Sequence, residues 1–296
     1  MAKTLLSASS MRADIPRCQV FSLDNNCGGE ILFAKYTNNK DYMSKIKLGI
    51  IGCGFVGGAL KRWIAEHNAD NVEVFVSDPP KGMNDDLSEI DVAFVSIHVP
   101  TEADGSQDLT LMKQLIKKLP DVPVFVRTTI LPGTSRELSK DTAHRVHFMP
   151  EFLTERTAYE DFCSQPMIFT AEEELLSKIF VGKKHICMSP LEAEITKYAH
   201  NVFGALKVTY FNGIFELCKS MEANYRKIQE GILLSGYINA PHTQVPGPDG
   251  KFGYGGKCFP KDVNALTKLC TDKNLEVAKL LQQLRPANLF YRGEDK

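Results

Sequence analysis

The sequence predicts an α/β fold, with a Rossmann-type doubly wound parallel sheet, trimmed of one edge strand, followed by an all-helical domain. Three observations predict it. Short β-rich runs alternate with helical ones from Ile46 to Met149, the pattern of a parallel sheet with helices on its faces. A glycine-rich turn, "GCGFVG" at 52–57, follows the first of these runs and opens a helix. From residue 190 to 222 the apolar residues then keep a helical spacing.

Residues 1–45 stand apart. They are polar and turn-rich, with "SASSMRADIPR", "SLDNNCGGE" and only a short apolar piece at 31–36. This composition predicts a poorly ordered extension with no catalytic role. The first domain spans 46–188. Strands are expected at 46–51, 72–77, 91–100, 122–130 and 145–149, with helices at 58–67, 108–119 and 133–143. Residues 79–90 are too few for a crossover helix and a further parallel strand, which need at least about 10–12 residues for the connection alone. The third strand of the usual 3-2-1-4-5-6 order is therefore expected to be missing, at the cost of an edge only. The second domain spans 189–296. Helices are expected at 190–222, 225–235, 260–270 and 275–285, and the Gly/Pro-rich stretch 236–256 is expected to be irregular.

At 296 residues, two domains of ordinary size are expected. Hydrophobic residues make up 43% and charged residues 24%, and the net charge is −1. That balance argues against a nucleic-acid binder, which carries a basic excess. No apolar run reaches the ~18 residues of a membrane span, and no secretory leader is evident. The eight cysteines are scattered without a CxxC pair. Reduced thiols in the cytoplasm, and no metal site, are expected. Cys53, Cys163, Cys187, Cys218 and Cys270 read as buried, inert residues.

The turn at 52–57 has the form GxGxxG and lies between a strand and a helix, the context a dinucleotide requires. Gly52 makes the tight turn, Gly54 admits a pyrophosphate to the backbone, and Gly57 lets helix and strand pack closely. The helix start offers free N–H groups to phosphate. Asp78 follows at the distance, about 20 residues, where a carboxylate accepts from a ribose 2′-hydroxyl. It favours NAD over NADP, although Lys81 nearby tempers the preference. A glycine turn with no ligand is the plainer alternative.

"GYGGKCFPKD" at 253–262 places Cys258 just before a helix, with Pro260 in its first turn. A thiol there gains from the helix N-terminus and neighbouring cations, which lower its pKa. The glycines before it leave room for a bulky substrate.

This motif resembles the cysteine motif of the UDP-glucose/GDP-mannose dehydrogenase family of nucleotide-sugar dehydrogenases. "GIIGCGFVG", "VPTEADGSQDL" (99–109), "TTILPGT" (128–134), "PEFLTERTAYEDF" (150–162) and "AEITKYAHNVFGALKVTYFNGI" (193–214) are similar to further family segments in the same order. The resemblance implies oxidation of a sugar C6 alcohol to the carboxylate by two NAD⁺, with Cys258 holding a thiohemiacetal and then a thioester. It implies that Lys197 stabilises the oxyanion, with Asn201 on the same helix face. Asp262 handles water, Glu151 lies near substrate and water, and Thr129 holds water. The implied cofactor set is Gly52, Gly54, Phe55, Val56, Gly57, Asp78, Pro100, Thr129 and Glu155. Glu151, Phe152, Leu153, Lys197, Asn201, Lys251 and Gly255 would meet the sugar nucleotide, with Lys251 or His242 as anion donors. The long helix would form a homodimer seam.

The chain departs from the family pattern at Arg156, at "FCSQPMIFTA" (162–171) and at His98. The family's third, nucleotide-holding domain is not expected in residues 259–296. Two other readings stand beside the leading one: a two-electron dehydrogenase of the β-hydroxyacid type, and a non-catalytic NAD-binding homologue or partner subunit.

Overall fold

The structure is a computed structural model that describes residues 44–102 and 104–293; of the extension expected at 1–45, residues 1–43 lie outside the described residues. The elements run β1 (Ile46–Ile51), α1 (Phe55–His67), β2 (Val72–Asp78), β3 (Met83–Asn84), β4 (Val92–Val95), α2 (Thr110–Ile116), β5 (Val124–Val126), α3 (Thr134–Thr142) and β6 (Val146–Phe148). They continue with α4 (Ala158–Ser164), β7 (Met167–Phe169), α5 (Glu173–Ile179) and β8 (His185–Cys187). The helices α6 (Pro190–Ser220), α7 (Tyr225–Leu234), α8 (Phe259–Asp272), α9 (Val277–Leu281) and α10 (Leu284–Arg292) follow.

The main sheet has the order β3-β2-β1-β4-β5-β6, and all its pairs are parallel except β2 with β3. The edge position expected to be empty is thus held by a two-residue antiparallel strand. Pro79–Lys81 form one turn of 3₁₀ helix and Gly82 takes φ +72°, so the chain doubles back on Ser77 and Asp78. A hairpin needs far fewer residues than a parallel crossover, which is why it fits where a parallel strand does not.

Leu48, Ile50, Phe94 and Phe125 face one side of the sheet with Trp63 of α1 and Phe162 of α4. Ile51, Ala93, Val95, Val124 and Val126 face the other with Met112 and Ile116 of α2 and Leu138 of α3. The period-2 alternation sends both sets into apolar layers, which is why the strands read as continuous hydrophobic runs. Each large side chain buried in this way contributes roughly 1.5–3 kcal/mol.

After β6 a second small βαβ unit, β7-α5-β8, forms its own two-stranded parallel sheet. These strands are three residues each, too short for the periodicity of the sequence to reveal. Every described element after β8 is a helix. The helix expected at 275–285 divides into α9 and α10 around Gln282 and Gln283. No helix among the described residues is long and apolar enough to cross a membrane.

Candidate active site

The dinucleotide turn is fixed by close packing. A Cβ on Gly57 would lie 2.1 Å from the carbonyl oxygen of Gly52, and one on Gly52, which takes φ +86°, would lie 2.8 Å from that of Ser96. Around Gly54 nothing lies within 4 Å of where a Cβ would be. Two glycines are therefore demanded by the protein and the third faces open space at the start of α1, before Phe55 and Val56. Asp78 ends β2 beneath the turn. Its Oδ2 accepts from the Cys53 backbone N–H at 2.8 Å and lies 3.7 Å from Lys81 Nζ, which also donates to the Cys53 carbonyl at 2.5 Å. Lys81 thus offsets the carboxylate expected to disfavour a 2′-phosphate. Pro100 is exposed in the loop after β4, where its carbonyl accepts from Asp108 N–H.

The second half of the site hangs on α6. Ser189 and Glu192 form a capping box and Pro190 opens the helix. Glu194, fully buried, reaches across to the start of α3 and accepts from the backbone N–H groups of Gly133 (2.6 Å) and Ser135 (2.8 Å). A carboxylate at a helix N-terminus satisfies two donors left without intrahelical partners. It pins α6 to the Rossmann layer one turn before Lys197. Gln107 adds a second tie, donating to the Thr129 carbonyl at 3.2 Å and to Tyr198 Oη at 3.3 Å. Thr129 is buried beside the helix that carries Lys197.

Lys197 is 3% exposed. Its ammonium donates to the Glu151 carbonyl and lies 3.2 Å from Glu151 Oε1. The other Glu151 oxygen accepts from Leu153 N–H at 2.7 Å. Phe152 lies under the Lys197 ammonium, 5.3 Å away, and packs on His200. One turn along α6, Asn201 Nδ2 donates to Asp262 Oδ2 at 2.7 Å, and Lys261 Nζ donates to Oδ1 at 2.5 Å. Asp262 has no exposure at all. A carboxylate so deeply buried has its oxygens satisfied by these donors.

Cys258 is the N-cap residue of α8, with Pro260 in the first turn. The next residue decides where the thiol lies: Phe259 packs so closely on Gly204 of α6 that a Cβ there would meet the ring at 2.7 Å. Cys258 is thereby half-buried among Lys261, Asp262, Lys197 and Glu151, all near enough to act on its charge. The expectation of a lowered thiol pKa is corrected. Burial pushes the Cys258 thiol up, and it outweighs the pull of Lys261 and Lys197 while Asp262 and Glu151 add to the rise.

Glu151, Phe152, Lys197, Asn201, Cys258 and Asp262 therefore lie close together. Other residues lie elsewhere. Glu155 is exposed and forms an ion pair with Lys257, the residue before Cys258, at 3.2 Å. Lys251 is exposed in a turn closed by Gly247. The room expected beside Gly255 is filled by Arg292, whose Nη2 would lie 2.7 Å from a Cβ. His242 packs on Phe259, but desolvation, Lys207 and His200 all lower its pKa, so it is a neutral donor at pH 7 rather than a cation. Of the cysteines expected to be buried, Cys163 and Cys187 are exposed and Cys53 is half-buried.

Four residues escaped the sequence reading. Lys261 lay inside the cysteine motif but was not singled out. Glu194 looked like an ordinary helix charge. Lys207 is buried on α6 and donates to Asn239 Oδ1 and its carbonyl, both at 2.6 Å. Arg127, 1% exposed, lines a cavity of about 20 Å³ behind Glu151, with Nε and Nη1 lacking protein partners. Burial pulls its pKa down to about 10 while Glu151 pulls it up. A lone charge in the apolar run "VPVFVRTTI" was the available signal.

Residues 191–289 match the central domain of the UDP-glucose/GDP-mannose dehydrogenase family, and these residues carry Lys197, Asn201, Cys258 and Asp262. Over these residues the chain is similar to this family. It is 28% identical over 232 residues to UDP-glucose 6-dehydrogenase of Rickettsia typhi, an overlap of 70% of this chain and 52% of that protein. It is 32% identical over 213 residues to UDP-glucose 6-dehydrogenase of Rhizobium meliloti, covering 63% of this chain and 47% of that one. Among solved structures, a UDP-glucose dehydrogenase from Pyrobaculum islandicum shares the fold, with a TM-score of 0.68 at 21% identity, covering 86% of this chain and 70% of that one. The chain thus spans about half the length of the curated dehydrogenases it matches.

Proposed function

We propose that this chain is the NAD-binding and catalytic part of a nucleotide-sugar dehydrogenase, with UDP-glucose the leading substrate and its uronic acid the product. The proposal rests on one observation: Cys258 stands at the head of α8 within electrostatic reach of Lys197, Lys261, Asp262 and Glu151. A thiol, two ammonium groups and two carboxylates supply what capture of an aldehyde and hydrolysis of the resulting thioester require.

The glycine cradle at 52–57 fits a dinucleotide, closed by packing at Gly52 and Gly57 and open at Gly54. Gly52, Gly54, Phe55, Val56 and Gly57 would hold its pyrophosphate and Asp78 its ribose, with Pro100 and Thr129 nearby. When bound, NAD⁺ supplies the hydride acceptor for each oxidation. Lys197 donates to the sugar oxygen as negative charge develops there, a stabilisation that is large in a dry site. Asn201 fixes Asp262 opposite it. Cys258 loses its proton as its sulfur bonds to the aldehyde carbon, and the second oxidation leaves a thioester. Asp262 and Glu151 take the proton of the water that displaces the sulfur. Overall, one alcohol and one water yield one carboxylate, two hydrides and three protons.

Homodimerisation through α6 is part of the proposal. Leu191, Ile195, Phe203, Tyr210, Leu217 and Met221 are all at least half exposed along it, an apolar stripe of the kind that marks an interface. A cytoplasmic setting accords with six free thiols among the described residues.

The test is NADH formation on a panel of nucleotide sugars. Two NADH per sugar, lost in Cys258→Ser, is the expected result. One NADH per substrate turns the reading to a two-electron dehydrogenase, and no turnover of any sugar turns it to a partner subunit.

A further inference from the structure

We propose that Glu173, His185 and Cys187 form a binding site for a divalent metal ion of the zinc class, built from residues that take no part in the chemistry proposed at Cys258. His185 and Cys187 are two positions apart on β8, so their side chains leave the same face of the small sheet. Glu173 begins α5, the helix that crosses from β7 to β8. His185 Nε2 and Glu173 Oε1 are 3.1 Å apart, and the three donor atoms all lie within 4.8 Å of one another. With metal–ligand bonds of about 2.0–2.3 Å, neighbouring donors of a tetrahedral zinc ion lie roughly 3.3–3.7 Å apart. The His–Glu pair is already near that spacing. The sulfur needs a shift on the order of 1 Å to reach it, which an exposed side chain makes freely.

The surroundings favour the same assignment. The His185 ring stacks on buried Phe169 at 4.2 Å and 18°, which holds the imidazole in one plane. The Cys187 sulfur lies within 4.8 Å of the same Glu173 carboxylate. An ion pair alone accounts for Glu173 and His185 but not for a thiol converging on them. A sulfur, an imidazole nitrogen and a carboxylate oxygen are a donor set for zinc rather than for magnesium or calcium, which take oxygen. Three protein ligands on an accessible face leave the fourth position to water. The ion would fasten α5 to the strand that leads into α6. Glu173 is far from His185 in sequence, so no ligand spacing announced the site.

The test titrates the full-length protein with zinc against a chromophoric chelator, and with cobalt as a spectroscopic probe. One equivalent is expected, with a thiolate-to-cobalt charge-transfer band in the near ultraviolet. Cys187→Ser should remove the band, and His185→Ala should weaken zinc binding at least tenfold. Cys258→Ser should leave both unchanged. Circular dichroism checks that each variant is folded, and Glu173→Gln, which keeps shape, gives an independent loss of affinity. A band that survives Cys187→Ser, a band that vanishes in Cys258→Ser, or a wild-type chain that takes up no zinc at micromolar concentration overturns the proposal.

Discussion

Between Gly52 and Asp78 the dinucleotide turn draws on one unbroken β-α-β stretch, whereas the thiol cluster gathers Glu151, Lys197, Asn201, Cys258 and Asp262 from three separate segments. In the turn, two of the three glycines are set by nearby backbone: Gly57 meets Gly52, and Gly52 meets Ser96, the residue after β4. In the cluster, no residue is held by its sequence neighbours alone. Lys197 is placed by Glu194 on α3, Cys258 by Phe259 on Gly204, and Asp262 by Asn201. A local motif tolerates change elsewhere in the chain. A dispersed site depends on every contact that joins its helices.

The largest expected effect breaks the cluster while leaving the turn intact. Lys197→Ala removes the proposed oxyanion donor and strands Glu151 in a buried position. We expect kcat to fall about 10²–10³-fold with the dissociation constant for NAD unchanged; equal losses in both would show that the two regions are one unit. Next, the turn is broken alone. Gly57→Ala drives a methyl against the Gly52 carbonyl, and overpacking of this kind costs roughly 1–3 kcal/mol. Thermal unfolding should register it, together with lost NAD affinity. Gly54→Ala should leave stability within about 1 kcal/mol yet weaken NAD binding, since the space there is free of protein.

A smaller effect sharpens the cofactor choice. Lys81→Ala frees Asp78 from its cation, so the preference for NAD over NADP should rise about tenfold, equivalent to ~1.4 kcal/mol. A ratio of kcat/KM values that does not move places ribose recognition elsewhere. The smallest concerns pH. Because the folded thiol titrates above its ordinary value, alkylation of Cys258 by iodoacetamide should accelerate as pH rises through the alkaline range. Lys261 lowers that value, so Lys261→Ala should move the inflection higher. Movement in the other direction would mean that the loss of the Lys261–Asp262 pair dominates.

Much of this was legible beforehand. The five parallel strands of the main sheet could be named from their apolar runs, and the cradle and the five residues of the cluster from their motifs. The small β7-α5-β8 unit could not, because three-residue strands carry no readable period. The edge strand β3 was missed because a hairpin obeys a different length rule from a crossover. The state of the Cys258 thiol was misjudged because a helix start and nearby lysines are visible in sequence, while burial is not.

What the sequence determined by itself is the local chemistry: a Gly-rich turn between a strand and a helix, a proline-started helix behind a cysteine, and a lysine and asparagine one turn apart. Those follow from backbone sterics and helical period, which act over a few residues. What only the tertiary structure decided is every relation across the chain: the buried Glu194 joint, the seat of Phe259 on Gly204, the filling of the Gly255 recess by Arg292, and the meeting of Glu173 with His185 and Cys187. These depend on desolvation and close packing between distant segments, and neither quantity exists until the chain has folded.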